Sequence, residues 1–186
     1  MTAKRIGVFG GTFDPIHVGH LAIANAALED LGLDRVYFVP AAQSPLKSDA
    51  PSASAADRLA MLEQAVREDE RFAVSRIEID RGGPSYTVDT LEALRSEGDL
   101  FLIVGSDAYA EFGRWREPQR IRDLATIVVA ARPGAPNAPE GVRMLDTPLM
   151  DISARDLRAR AARGKSLRYL VPLAVLRYIE ERRLYR

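Results

Sequence analysis

The chain holds two histidines in 186 residues, and they stand three positions apart. They close the stretch Gly10-Gly11-Thr12-Phe13-Asp14-Pro15-Ile16-His17-Val18-Gly19-His20. Gly10 and Gly11 let the backbone come close to a ligand. Thr12 offers a hydroxyl at the turn, and Asp14-Pro15 sets the chain direction before a helix. At this spacing His17 and His20 share one helix face, and Gly19 leaves room between them for a bulky group. A helix N-terminus adds amide donors and the positive end of its dipole. Together these groups make a cradle for an anion, phosphate above all. A glycine pair can also be an ordinary turn, and a histidine can simply satisfy a core position. Both histidines in one glycine-rich turn favour chemistry.

The elements that must hold this cradle follow from apolar periodicity. Ile6 to Phe9 predicts a buried strand, and His17 to Leu31 a helix stopped at Gly32. Val36 to Val39 predicts a second strand. Ala41 to Ser54 is polar and reads as a long functional loop. Ala55 to Glu68 has helical spacing, and Phe72 to Ile79 looks extended. Tyr86 to Arg95 predicts a helix, Leu100 to Val104 a strand, and Ile121 to Ala125 a short helix. Ile127 to Ala131 is a strand, followed by a loop over 133–141. Arg143 to Leu145 is a short last strand. Ser153 to Arg163 and Pro172 to Arg182 close the chain as helices. Continuous apolar strands alternating with helices predict an α/β fold with a parallel sheet covered on both faces. Ligands of such sheets bind beyond the strands' carboxyl ends.

Composition narrows the classes. Hydrophobic residues make up 47%, enough for one domain over 1–186 with a helical C-terminal subregion from about 150. Lysine plus arginine (26) balance aspartate plus glutamate (26), which disfavours a nucleic-acid binder. With no cysteine, thiolate chemistry and cysteine-held metals are excluded. No signal region or membrane-length apolar run is expected, so the reading is a soluble cytoplasmic protein. The glycines at 7, 10 and 11 miss the spacing of a dinucleotide fingerprint. Gly164-Lys165-Ser166 mimics the end of a Walker A loop, but Ala159 stands where its first glycine belongs. The histidines also lack the glutamate and spacing of a zinc protease.

Gly10 to His20 resembles the signature of the nucleotidyltransferases that carry a T/H-x-G-H motif, here His17-Val18-Gly19-His20. Its full form is most similar to the bacterial nicotinate-mononucleotide adenylyltransferases. Further segments share the resemblance. They are Pro45-Leu46-Lys47, Pro84-Ser85-Tyr86-Thr87, Gly105-Ser106-Asp107 with Trp115 after it, and Arg132-Pro133-Gly134. Ile152-Ser153-Ala154-Arg155-Asp156-Leu157-Arg158 and the later Tyr178-Ile179 and Leu184-Tyr185 extend it. Leu46 replaces a frequent histidine, and Ala154 and Arg155 replace hydroxyl residues.

The resemblance implies a Rossmann-like doubly wound sheet. It implies AMP transfer from ATP to nicotinate mononucleotide, giving deamido-NAD and pyrophosphate in NAD biosynthesis. It assigns catalysis to His17, His20, Lys47 and Arg158. ATP would lie against Gly10, Gly11, Thr12, Phe13, His17, Gly19, His20, Gly105, Asp107, Arg132, Ile152, Ser153 and Arg158. The acceptor would meet Lys47, Ser85, Tyr86, Thr87, Asp107 and Trp115. Mg²⁺ would ride on the ATP phosphates, with no protein metal cage. Homo-oligomerisation stays open. On residue type alone Trp115 and Tyr86 suit packing, Lys47 and Arg158 suit solvated surfaces, and Ser153 with Asp156 suits a capping box. A nicotinamide or phosphopantetheine acceptor, or a non-catalytic nucleotide-binding module, is the alternative.

Overall fold

The computed structural model describes residues 3–45, 50–131, 142–148 and 150–186. The apolar runs become parallel strands β1 (Arg5–Gly11), β2 (Arg35–Pro40), β3 (Phe72–Val74), β4 (Asp99–Gly105), β5 (Ala125–Ala130) and β6 (Arg143–Leu145). Their order across the sheet is β3-β2-β1-β4-β5-β6, the doubly wound order. Between them run α1 (Val18–Leu31), α2 (Ala55–Val66), α3 (Ile77–Arg81), α4 (Thr87–Leu94), α5 (Ser106–Ala110) and α6 (Pro118–Leu124). A single 3-10 turn covers Phe112–Arg114, and α7 (Ala154–Ala162) and α8 (Leu173–Glu181) follow β6.

Alternation along each strand feeds two cores. Phe9, Val36, Phe38, Phe101, Ile103 and Val128 pack with residues of α1, α2, α7 and α8 on one face. Val8, Val39, Leu100, Leu102, Val104 and Val129 pack with α4 and α6 on the other. Gly7 is demanded by β1 itself, because an added Cβ would sit 2.9 Å from both Leu33 and Val36 side-chain carbons. A sheet buried on both faces keeps its free edge for ligands at the strand ends.

Two local expectations change. The extended reading of Phe72 to Ile79 holds only for β3, and Ile77–Arg81 is a helical turn. Its buried Glu78 accepts the Thr90 hydroxyl at 2.6 Å, so a contact with α4 overrides local preference. The segment after Gly105, read as a turn, winds into α5 and the 3-10 turn. The loop over 133–141 lies outside the described residues. Among the described residues no helix is long and apolar enough to cross a membrane.

The late helix α8 is fastened to α2 through Asp57. Its carboxylate takes the hydroxyls of Ser54 at 2.6 Å and Tyr178 at 2.9 Å, and Arg182 Nε at 3.2 Å. The Ser54 hydrogen bond is the main cause of a carboxyl pKa below the ordinary range; burial opposes it, and Tyr178 and Arg182 add to it. A depressed folded-state pKa stabilises above the unfolded value and loses that stability as the pH falls through the folded one. Asp57→Asn is expected to cost roughly 1–2 kcal/mol at neutral pH. The gap to wild type should shrink below about pH 4, where the unfolded carboxyl titrates. Urea unfolding at pH 7 and pH 3 measures this, and an unchanged gap would count against the clamp.

Candidate active site

The glycine-rich loop leaves the sheet at the end of β1, beside the end of β4. Neighbouring strands there send their chains to opposite faces, which opens a crevice. Gly10 is exposed, and a Cβ built on it would meet nothing within 4 Å, so a ligand can lie against the backbone. Gly11 serves a neighbour instead: its missing side chain leaves 3.0–3.2 Å to the Phe13 ring. Phe13 adopts a left-handed backbone with φ 49° and buries its ring against Phe9, His20 and Phe38. The Asp14-Pro15 bond is cis.

His17 is the N-cap of α1, and its ring stacks on His20 with centroids 3.6 Å apart. The main-chain N–H of His17 donates to His20 Nδ1 at 3.2 Å. An accepting Nδ1 carries no proton, so the neutral ring keeps its proton on Nε2, the donor nitrogen. Two features refine the sequence reading. The space beside Gly19 is taken by the His17 ring rather than by a ligand, since a Cβ there would lie 3.1 Å from Nδ1 and 3.3 Å from Cε1. The Val18 amide is already spent on Leu170 O at 3.1 Å. The helix end thus offers fewer amides than its sequence suggests.

Two residues that position this loop, Arg58 and Tyr185, were not singled out from the sequence for that task, and Asp14 takes tertiary partners that the sequence did not show. Arg58 on α2 is 1% exposed, and its Nη1 donates to the carbonyls of Thr12 at 2.9 Å and Ala41 at 2.8 Å. It pins the ends of β1 and β2 together. Burial pulls its pKa down, and the Asp14 charge opposes that pull. Asp14 is 2% exposed and accepts the amides of Ser52 and Ala53 and the hydroxyl of Tyr185. The sequence signal for Arg58 is a charge next to the apolar stripe of Leu59, Leu62 and Val66.

The other candidates divide. Arg158 on α7 reaches the loop, donating from Nη1 to the Asp14 carbonyl at 2.8 Å. Ser153 caps α7, accepting the Asp156 amide at 3.1 Å, while the exposed Arg155 lines a groove that Arg158 also lines. Ile152 packs partly against the core. Gly105 caps α5 at the end of β4, and Asp107 is exposed in its first turn. Ser85 ties to the loop after β2, where its hydroxyl accepts the Ala42 amide at 2.9 Å. Tyr86 caps α4, whose first residue is Thr87, and the Arg116 guanidinium lies 4.8 Å from the Tyr86 ring centroid. Trp115 is half-buried beside Phe112, and among the described residues its indole N–H has no hydrogen-bond partner. Lys47 and Arg132 lie outside the described residues, as does Leu46. Among the described residues no group of three or more His, Asp or Glu is placed to hold a metal ion.

Gly19→Ala tests the tight fit around His17. Helix propensity alone would stabilise the protein by roughly 0.5–1 kcal/mol. The added methyl instead requires the His17 ring to give by a few tenths of an ångström, so the ATP affinity that the family resemblance leads one to expect of this loop should fall by about tenfold, or 1.4 kcal/mol. Calorimetric titration measures it, and unchanged affinity would remove His17's placement from the cradle.

The chain is similar to known proteins over nearly its whole length. The cytidylyltransferase-like family matches residues 8–160. A Thermus thermophilus protein named "Probable nicotinate-nucleotide adenylyltransferase" is 51% identical over 187 residues, spanning 98% of this chain and 100% of its own. A Roseiflexus protein of the same name is 48% identical over 199 residues, spanning 100% of each. The solved "Plasmodium falciparum nicotinic acid mononucleotide adenylyltransferase complexed with NaAD" superposes with TM-score 0.80 at 15% identity, over 98% of this chain and 97% of that one. At that identity the superposition speaks for the fold. With its relatives matched from end to end, the chain belongs to the cytidylyltransferase-like nucleotidyltransferases, in the nicotinate-nucleotide adenylyltransferase family.

Proposed function

We propose that the chain transfers AMP from ATP to nicotinate mononucleotide, releasing pyrophosphate and forming deamido-NAD. The observation that carries this reading is the stacked His17–His20 pair, with the His20 proton assigned to Nε2 by the His17 amide. The relatives' printed name supplies the acceptor.

The chemistry suits a site of donors and cations. A phosphate monoester has a second pKa near about 6, so the attacking oxygen is mostly ionised at neutral pH. It bonds to the α-phosphorus of ATP as the bond to the β-phosphate oxygen breaks, and pyrophosphate leaves with the electron pair. No general base and no covalent nucleophile are required. Catalysis is alignment plus stabilisation of the leaving charge. His20 Nε2 donates to that charge, His17 fixes the His20 ring, and Arg158 offers a guanidinium from α7. The family resemblance assigns Lys47 and Arg132, which lie outside the described residues, to the same role. Thr12 and the backbone at Gly10 hold the nucleotide at the end of β1, with Gly105 at the end of β4 and Asp107 in the first turn of α5 facing it.

The donor set fits an ATP that brings its own Mg²⁺, because the buried carboxylate of the loop, Asp14, is already occupied by Ser52, Ala53 and Tyr185. Bound there, Mg²⁺ would neutralise charge on the β- and γ-phosphates. For the acceptor, the Thr87 end of α4 suits the nicotinate carboxylate, and Trp115 offers a flat face.

Pyrophosphate release with nicotinate mononucleotide should exceed that with the nicotinamide form by roughly ten- to hundredfold, the worth of one charge-assisted hydrogen bond. Equal rates would sink the specificity. No rate with either would favour a non-catalytic nucleotide-binding module. His20→Ala should lower kcat by about 10²–10³, as for one lost donor to a developing anion. Steady-state kinetics with a melting curve for the fold decides it, and a variant with near-normal kcat would take His20 out of the reaction.

A further inference from the structure

The Leu184-Tyr185 pair beyond α8 has no role in the reaction as derived so far, yet Tyr185 reaches the phosphate loop. Its hydroxyl donates to Asp14 Oδ1 at 2.7 Å. The same carboxylate accepts Ala53 N–H on Oδ1 at 3.1 Å and Ser52 N–H on Oδ2 at 2.7 Å. Arg158 stands beside this group without closing on it. Its Nη1 is 3.9 Å from Asp14 Oδ2 and spends its short bond, 2.8 Å, on the Asp14 main-chain carbonyl.

That arrangement is unusual for the charges involved. Arginine and carboxylate prefer a forked pair with two parallel hydrogen bonds, and burial strengthens the attraction. Asp14 is buried, and Arg158 is partly shielded, with 31% of its side chain exposed. The carboxylate has room for about four hydrogen bonds, and three are already made. Tyr185 holds the oxygen that a forked pair would need. Burial, reinforced by Asp14, raises the phenol pKa well above its ordinary value despite the opposing charges of Arg158 and Arg58, so the hydroxyl stays a donor. Arg158 and Tyr185 also line one groove, together with Ser52, Arg155 and Arg186.

We propose that Tyr185 is a positioning residue for Arg158: by occupying the Asp14 carboxylate it keeps the guanidinium available to the triphosphate of ATP. Without the hydroxyl, the guanidinium closes on Asp14 and withdraws from the groove. The proposal rests on the reading of Arg158 as a phosphate contact.

The test is a double-mutant cycle on the intact enzyme with Tyr185→Phe, Arg158→Ala and both together. Tyr185→Phe keeps the ring and should lower kcat about tenfold, the scale of a misplaced group, with KM for nicotinate mononucleotide unchanged. In the Arg158→Ala background the same change should do less than about twofold, since its route of action is gone. Effects that multiply overturn the Tyr185 proposal and leave Arg158 in place. An Arg158→Ala enzyme with full kcat overturns the role of Arg158 and the proposal with it. A Tyr185→Phe protein that melts below the assay temperature assigns the hydroxyl to stability and overturns the positioning role.

Discussion

A carboxylate taken out of water must be met at its oxygens, and Asp14 is met by partners that lie far apart along the chain. Amides from the segment before α2 and a phenol from beyond α8 fill its side chain, while Arg158 from α7 docks on its carbonyl. An unmet buried charge would cost several kcal/mol, so the carboxylate ties these distant segments to the loop. They anchor one end of the phosphate loop. Arg58 anchors the other, binding Thr12 and Ala41 from beneath. Between the two anchors the backbone holds Phe13 at positive φ, and just beyond them His17 and His20 stand as a stacked pair.

The sheet decides where that loop stands. With β1 between β2 and β4, the chain turns to one face after β1 and to the other after β4. The crevice between these two turns of the chain is where a doubly wound sheet receives a ligand. The reacting groups in the proposed reaction bring their own charge, so the protein needs rigidity and hydrogen-bond donors more than titrating groups. Buried aromatics around His20, namely Phe9 and Phe13, restrict the imidazole to one orientation.

The cradle was legible in the sequence because it is contiguous. Gly10 to His20 carries its glycines, its helix start and its histidines within a single turn, and local spacing is enough to read them. The parallel sheet was legible for a similar reason, since strands buried on both faces show unbroken apolar runs. The supports were not legible. Asp14 and Tyr185 are 171 positions apart, and Arg58 meets Thr12 across 46. Such pairings depend on tertiary placement, which periodicity does not encode. The same limit explains α3, where Glu78 answers to Thr90 on another helix. It also explains Gly19, whose missing side chain serves its neighbour His17 rather than a ligand.

The distance between Asp14 and Tyr185 bears on how the protein is made. Loop closure over so long a stretch has an entropic cost that only the assembled domain can offset. During synthesis the glycine-rich loop emerges early, with its carboxylate still in water. Its last support arrives only when residue 185 clears the ribosome. In a nascent chain the strands would therefore be present before the glycine-rich loop is set.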